Sequence, residues 1–101
     1  MTEQEDTLNK YGGIFIFKPD LAEKDLEGEY TKTEEVIKKH EGKIGKSEKW
    51  GKKRLTFTIK KFQDGFFLYV AFEAPPQSIK ALMELFKLNA NILRAQLTRE
   101  E

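Results

Sequence analysis

An α+β sandwich, with a four-stranded antiparallel sheet carrying two helices on one face, is the fold class that the 101-residue sequence predicts. Three observations lead to it. The apolar spacing alternates between the strand period and the helix period in the order β-α-β-β-α-β. Two runs, Ile14-Phe15-Ile16-Phe17 and Phe66-Phe67-Leu68-Tyr69-Val70-Ala71-Phe72, are apolar on both faces, as strands inside a sheet are. Right-handed βαβ crossovers put the first and third strands at the centre, which gives the strand order 4-1-3-2. The two doubly apolar runs fall at those two central positions.

The elements follow in order. Residues 14–17 form the first strand, stopped by Pro19-Asp20. Over residues 21–40, Leu26, Tyr30, Thr33, Ile37 and His40 recur at spacings of three and four, with Val36 beside them, and make one helix face. Lys38, Lys39 and His40 suit the negative helix end, and Gly42 is the expected stop. Residues 44–62 read as a long basic strand. Leu55, Phe57 and Ile59 alternate with polar neighbours, while Ile44 and Trp50 have the opposite parity. One extra residue is needed to keep a single face buried, and Gly51 is the natural site for that bulge. Gln63-Asp64-Gly65 is expected to turn the hairpin into the third strand. Pro75-Pro76 opens a second helix with a stripe of Ile79, Leu82, Met83 and Phe86. Asn89-Ala90-Asn91 breaks it. In the last strand, 92–97, Leu93, Ala95 and Leu97 share one face and Ile92, Arg94 and Gln96 the other. The whole is a ferredoxin-like sandwich. Residues 1–9 are expected to be a flexible acidic tail, 10–98 a single domain and 99–101 a polar tail.

Composition narrows the chemistry. The chain has no cysteine, which excludes disulfides, thiol catalysis and cysteine-ligated metals. His40 is the one histidine, so no His-rich metal site and no nucleophile–His pair of the usual kind is available. Glu27-Glu29 and Glu34-Glu35 fall on the solvated helix face, and no phosphate loop or EF-hand is present. No cofactor and no enzymatic activity are expected. The N-terminus has neither a signal-peptide nor a transit-peptide pattern, and no apolar run is long enough to span a bilayer, so a soluble cytoplasmic protein is expected.

Net charge is only +1, but the charges are segregated. Residues 1–35 hold ten acids and four bases, giving −6; residues 43–61 hold eight bases and one acid, giving +7. Lysines on an edge strand also discourage aggregation, and Lys46, Lys49, Lys60 and Lys61 fit that role. Trp50-Gly51-Lys52-Lys53-Arg54 fits it less well, because an aromatic flanked by cations suits a phosphate backbone or a partner chain. A second polar cluster comprises Lys87, Asn89, Asn91 and Arg94, with Lys10 and Tyr11 at the start of the first strand. Arg94 alternates with buried positions and so faces away from the helices. The βαββαβ order with aromatics on strands one and three also permits a single-stranded RNA binder of the RNA-recognition-motif type. A ferredoxin-like oligomerising or regulatory module is a further alternative.

The segment Glu48-Lys49-Trp50-Gly51-Lys52-Lys53-Arg54-Leu55-Thr56-Phe57-Thr58-Ile59 resembles the signature of the bacterial small-subunit ribosomal protein six family. The similarity is collinear over residues 10–98. It takes in residues 11–19, Glu41-Gly42-Lys43-Ile44, the third strand with Ala74-Pro75-Pro76, and Phe86-Lys87-Leu88-Asn89-Ala90-Asn91-Ile92-Leu93-Arg94. The resemblance implies a structural, non-enzymatic protein of the small ribosomal subunit. It further implies binding to the central domain of the small-subunit rRNA as a heterodimer with ribosomal protein eighteen, with no small-molecule substrate and no membrane. On that reading Trp50, Lys52, Lys53 and Arg54 are the expected partner-docking residues. Lys10, Tyr11, Lys87, Asn89, Asn91 and Arg94 are the expected RNA contacts.

Overall fold

The computed structural model describes residues 8–100. Its elements are β1 (Asn9–Phe17), α1 (Glu23–Lys39), β2 (Lys43–Ile59), β3 (Phe62–Ala74), α2 (Pro76–Leu88) and β4 (Ile92–Glu100). The sheet order is β2-β3-β1-β4, the expected 4-1-3-2 counted from the other edge, with every neighbouring pair antiparallel. Of the expected acidic tail, residues 1–7 lie outside the described residues, and Asn9 already pairs with Ala74. At the other terminus the strand runs further than its apolar pattern: β4 continues through Thr98 and Arg99 to Glu100, which pairs with Lys10.

The core forms where one face of the sheet meets both helices. Tyr11, Phe15 and Phe17 from β1, and Leu68, Val70 and Phe72 from β3, join Leu26, Tyr30 and Ile37 from α1 and Leu82 and Phe86 from α2. Phe15 meets Phe86 edge-on at 4.8 Å and Phe17 meets Tyr30 at 5.5 Å, so each central-strand phenylalanine is matched to one helix. Fully burying a side chain of this size contributes about 2–3 kcal/mol, and the edge-on geometry adds about 1 kcal/mol. Thr33 is the buried polar residue of the helix stripe, and its hydroxyl donates to the Glu29 carbonyl at 2.9 Å. Burial, with the nearby Glu27 carboxylate, raises the Tyr30 phenol above its ordinary value of 10.0.

Four local expectations are corrected. The helix stop is left-handed at Glu41 (φ 70°), one residue before Gly42. Gly42 serves close approach instead: its N–H donates to the Ile37 carbonyl at 2.9 Å, and a Cβ there would collide with Ile37. The β2–β3 turn lies at Lys60-Lys61, not at Gln63-Asp64-Gly65. Both lysines have positive φ, 48° and 75°, and Ile59 pairs with Phe62 across them. Gly65 lies within β3, where a Cβ would strike Ile16 and the Phe17 carbonyl. In β4, the register slips between Ile16 and Phe17, so that Phe17 pairs with Ile92 and Ile16 with Arg94. Ile92 therefore joins the helix-side core with Ala95 and Leu97, and Leu93 lies outside that cluster beside Ile16. Finally, β2 loops out against β3 between Arg54 and Ile59, and Phe57, expected with Leu55 and Ile59 on a buried face, is 59% exposed.

Candidate nucleic-acid and partner interface

The face of the sheet opposite the helices carries no other element of the described chain. Alternation sends Ile14 and Ile16 of β1, Phe67 and Tyr69 of β3 and Arg94, Gln96 and Glu100 of β4 to that face. Phe15 and Phe17 point the other way and are fully buried, so the paired aromatic platform of an RNA-recognition motif is not formed by β1.

On β2 the facing is set by the bulge. Gly51 is left-handed (φ 84°) and the register against β3 shifts between Lys49 and Gly51, the expected place of the bulge; a further shift between Ile44 and Lys46 leaves Ile44 against the helix-side core and not on one face with Trp50. Before the shift, Lys49 pairs with the core position Leu68 and turns to the helix side. Its Nζ meets Glu27 at 3.0 Å and lies 5.1 Å from the Tyr30 ring centre. After it, Lys52 pairs with Phe66 and its Nζ lies 5.9 Å from that ring, again on the helix side. Trp50 goes to the open face and stacks on Tyr69, with centroids 5.5 Å apart and planes 9° from parallel. Lys53 Nζ sits 4.9 Å from the Trp50 ring centre, a cation–π contact.

A polar row holds this stack in place. The Trp50 indole N–H donates to Glu48 Oε1 at 3.0 Å, and Lys46 Nζ meets Glu48 Oε2 at 2.9 Å. These two bonds, the indole's first, hold the Glu48 carboxyl below the usual carboxylate range, while its hydrogen bond and charge raise Lys46. The Tyr69 hydroxyl donates to Glu100 at 3.0 Å, which raises its phenol above 10.0. Tyr69 and Glu100 belong to β3 and β4, with β1 between them. They meet because Gly12 has no side chain: a Cβ there would overlap the Glu100 carboxylate and lie 3.1 Å from the Tyr69 ring.

The expected partner residues are thus divided between two faces. Trp50 and Lys53 lie on the open face, whereas Lys52 is on the helix side, because side chains alternate about the bulge. Arg54 follows at the start of the looped-out segment.

The six expected RNA residues do not form one site. Lys10 starts β1, opposite Glu73 and Glu100 in register. Tyr11 is a core residue, 7% exposed, with its ring stacked on Phe72 at 5.7 Å. The segment carrying Lys87, Asn89 and Asn91 lies near the opposite end of β1, where the Asn91 carbonyl accepts from the Lys18 N–H at 3.0 Å. Seven residues of extended strand from Lys10 to Phe17 place the two groups roughly 23 Å apart. The Asn89 and Asn91 amides each donate one N–H to the Glu29 carboxylate, at 2.7 and 2.8 Å, and tie this loop to α1. Lys87 remains exposed on the last turn of α2. Arg94 does face the open side as expected, with its guanidinium carbon 5.9 Å from the Phe57 ring centre. Glu48, Phe57, Phe67, Tyr69 and Glu100 complete the open face. Of these, Phe67 and Tyr69 could have been found from the parity of β3, whereas Phe57 could not, because its exposure depends on the register break.

Among the described residues no cluster of acidic and histidine side chains could hold a metal ion, and no helix is long and apolar enough to cross a membrane.

Comparison with known proteins identifies the arrangement. The family model for ribosomal protein S6 matches residues 10–99. The small ribosomal subunit protein bS6 of Geotalea daltonii is 34% identical over 94 residues, covering 93% of this chain and 73% of that protein. The protein of the same description from Heliobacterium modesticaldum is 28% identical, covering 93% of this chain and 98% of its own length. The crystal structure of 30S ribosomal protein S6 from Thermotoga maritima superposes with a TM-score of 0.88 at 26% identity, covering 92% of this chain and 88% of that one. Sequence and fold match along nearly the whole length: the chain belongs to the ribosomal protein S6 family.

Proposed function

We propose that this chain, a non-enzymatic structural component of the small ribosomal subunit in the cytoplasm, joins the subunit as one half of a composite binding surface. It pairs with ribosomal protein eighteen, and the pair binds the central domain of the small-subunit rRNA. The observation that carries this reading is the charge distribution. Tight RNA binding requires many neutralised phosphates, because much of the affinity comes from released counterions. A chain of net +1 with −6 over its first 35 residues supplies one basic segment and no more. A second, basic protein completes the surface.

β2 is one of the two edge strands of the sheet, so the outward backbone groups of Lys43–Ile59 have no neighbouring strand among the described residues. A partner segment can add there, with Trp50 and Lys53 gripping it on the open face and Lys52 and Arg54 at its margin. Lys10, Lys87 and Arg94 are the cations offered to RNA. The domain spans residues 10–98.

Binding of the full chain to a central-domain rRNA fragment, with and without ribosomal protein eighteen across a salt series, tests the reading. The expected result is tight binding only with the partner, weakening steeply with salt. Equal binding with and without the partner overturns the composite surface. Trp50→Ala with Lys53→Ala is expected to weaken pairing with the partner at least tenfold, and an unchanged affinity overturns the docking assignment.

A further inference from the structure

The looped-out end of β2 closes over the open sheet face to form a second feature, separate from the Trp50–Tyr69 stack. Arg54, Leu55 and Phe57 on β2 face Ile16 of β1, Phe67 of β3 and Arg94 of β4 around a cleft of about 140 Å³. Its floor is apolar. Two arginines line it, and no acidic side chain does. Among the described residues neither arginine is in an ion pair. Asp64, opposite Arg54 in register, makes no ion pair with it. The Phe57 ring is 59% exposed and carries the Arg94 guanidinium 5.9 Å from its centre.

We infer that this cleft is a binding slot for one unstacked nucleotide of single-stranded RNA, its base lying on the Phe57–Arg94 pair and a flanking phosphate against Arg54 or Arg94. Size supports a single base: drug-sized ligand pockets begin at roughly 300 Å³. Chemistry supports a nucleotide. Exposed aromatic rings and guanidinium planes take bases on their faces, and arginine forks take phosphates. The slot sits at the end of a segment of charge +7, which raises the local concentration of a polyanion. An acidic peptide would satisfy the arginines but would leave Phe57 exposed to water. The inference rests on the rRNA-binding reading above for the source of the RNA, and sharpens it to a place.

The probe is a fluorescein-labelled hexauridylate added to the full chain at low salt, followed by anisotropy and by NMR of the Phe57 ring and the Arg94 side chain. Base–aromatic stacking predicts that Phe57→Leu, which keeps apolar bulk but loses the ring, weakens binding about tenfold. Arg94→Lys, which keeps the charge and loses the plane, is expected to weaken it about threefold, by the same stacking argument. Lys80→Ala, on the exposed side of α2, leaves it unchanged. The inference is overturned if the wild-type chain does not bind the probe, or if Phe57→Leu and Arg94→Lys bind it as the wild type does. It is also overturned if hexaglutamate occupies the cleft in preference to the oligonucleotide. The rRNA fragment with ribosomal protein eighteen separates this inference from the assembly reading. A wild-type chain that fails to join overturns the assembly reading. A wild type and a Phe57→Leu variant that join equally overturn the slot alone.

Discussion

Glu29 shows how much a single side chain can bind together. It lies on α1, within a run that reads from sequence as a solvated acidic face. Its two carboxylate oxygens accept from Asn89 and Asn91, sixty and sixty-two residues away. Charge-assisted hydrogen bonds contribute about 1.5–3 kcal/mol each when shielded, and less when solvent competes, as it does at this half-buried site. Glu29→Ala is therefore expected to lower stability by about 2 kcal/mol, measured by urea unfolding, against less than about 0.5 kcal/mol for the exposed Glu35→Ala. Equal costs for the two variants would show that the clamp carries no stability. The same residue restrains Asn89 and Asn91: each gives one amide N–H to Glu29 and keeps the other. Tyr11, expected as an RNA contact, is placed by strand parity against Phe72.

At the scale of the element, β2 and its hairpin carry most of the difference between expectation and structure. The sequence contains one strong turn signal, Asp64-Gly65, and the chain does not use it. The turn falls at Lys60-Lys61, with both lysines in the left-handed region. A two-residue turn of this kind matches the strand twist, and its usual residues are Asn and Gly, which tolerate positive φ. Gly65 is occupied elsewhere, giving Ile16 and the Phe17 carbonyl room to pass. Replacing Lys60 with Asn and Lys61 with Gly is expected to stabilise the fold by about 1 kcal/mol, since the native backbone is retained and the strain removed. A fall in urea midpoint for the double variant would contradict this account of the turn. The bulge at Gly51, in contrast, was legible. The parity conflict between Trp50 and Leu55 demanded an inserted residue, and glycine marked its place.

At the scale of the whole molecule, the chain is polarised. The basic β2 lies at one edge of the sheet, six acidic side chains lie on α1, and Lys49–Glu27 joins the two elements. The described residues extend 47 × 26 × 22 Å, elongated along the β2–β3 ribbon that bears the looped-out segment. Two tyrosines make global stability sensitive to alkali. Tyr30 is raised by burial and then by Glu27, and Tyr69 by its hydrogen bond to Glu100. A phenol whose folded pKa lies above its unfolded value binds more proton in the folded state, so its contribution is complete below pH about 10 and is lost as pH rises through the folded value. The thermal midpoint is expected to fall as pH rises above about 10, the unfolded tyrosine value, and to fall less steeply in Tyr30→Phe. Parallel profiles for the wild type and the variant would refute a buried, neutral Tyr30.

Local periodicity by itself determined the element order, the helix faces, the doubly apolar central strands and hence the sheet order, because alternation and crossover handedness are short-range rules that act on every residue alike. The similarity of the basic strand motif carried the family with it. Only the tertiary structure decided which way individual cations point. Lys52 and Lys53 are neighbours in sequence and lie on opposite faces, and Arg94 of β4 comes to rest over Phe57 of β2. Those placements depend on register slips at Gly51, at residues 55–58 and at Ile92, each of which moves side chains from one face to the other. A slip is settled by packing between strands distant in sequence, and it is there, more than in the motif, that the open face acquires its shape.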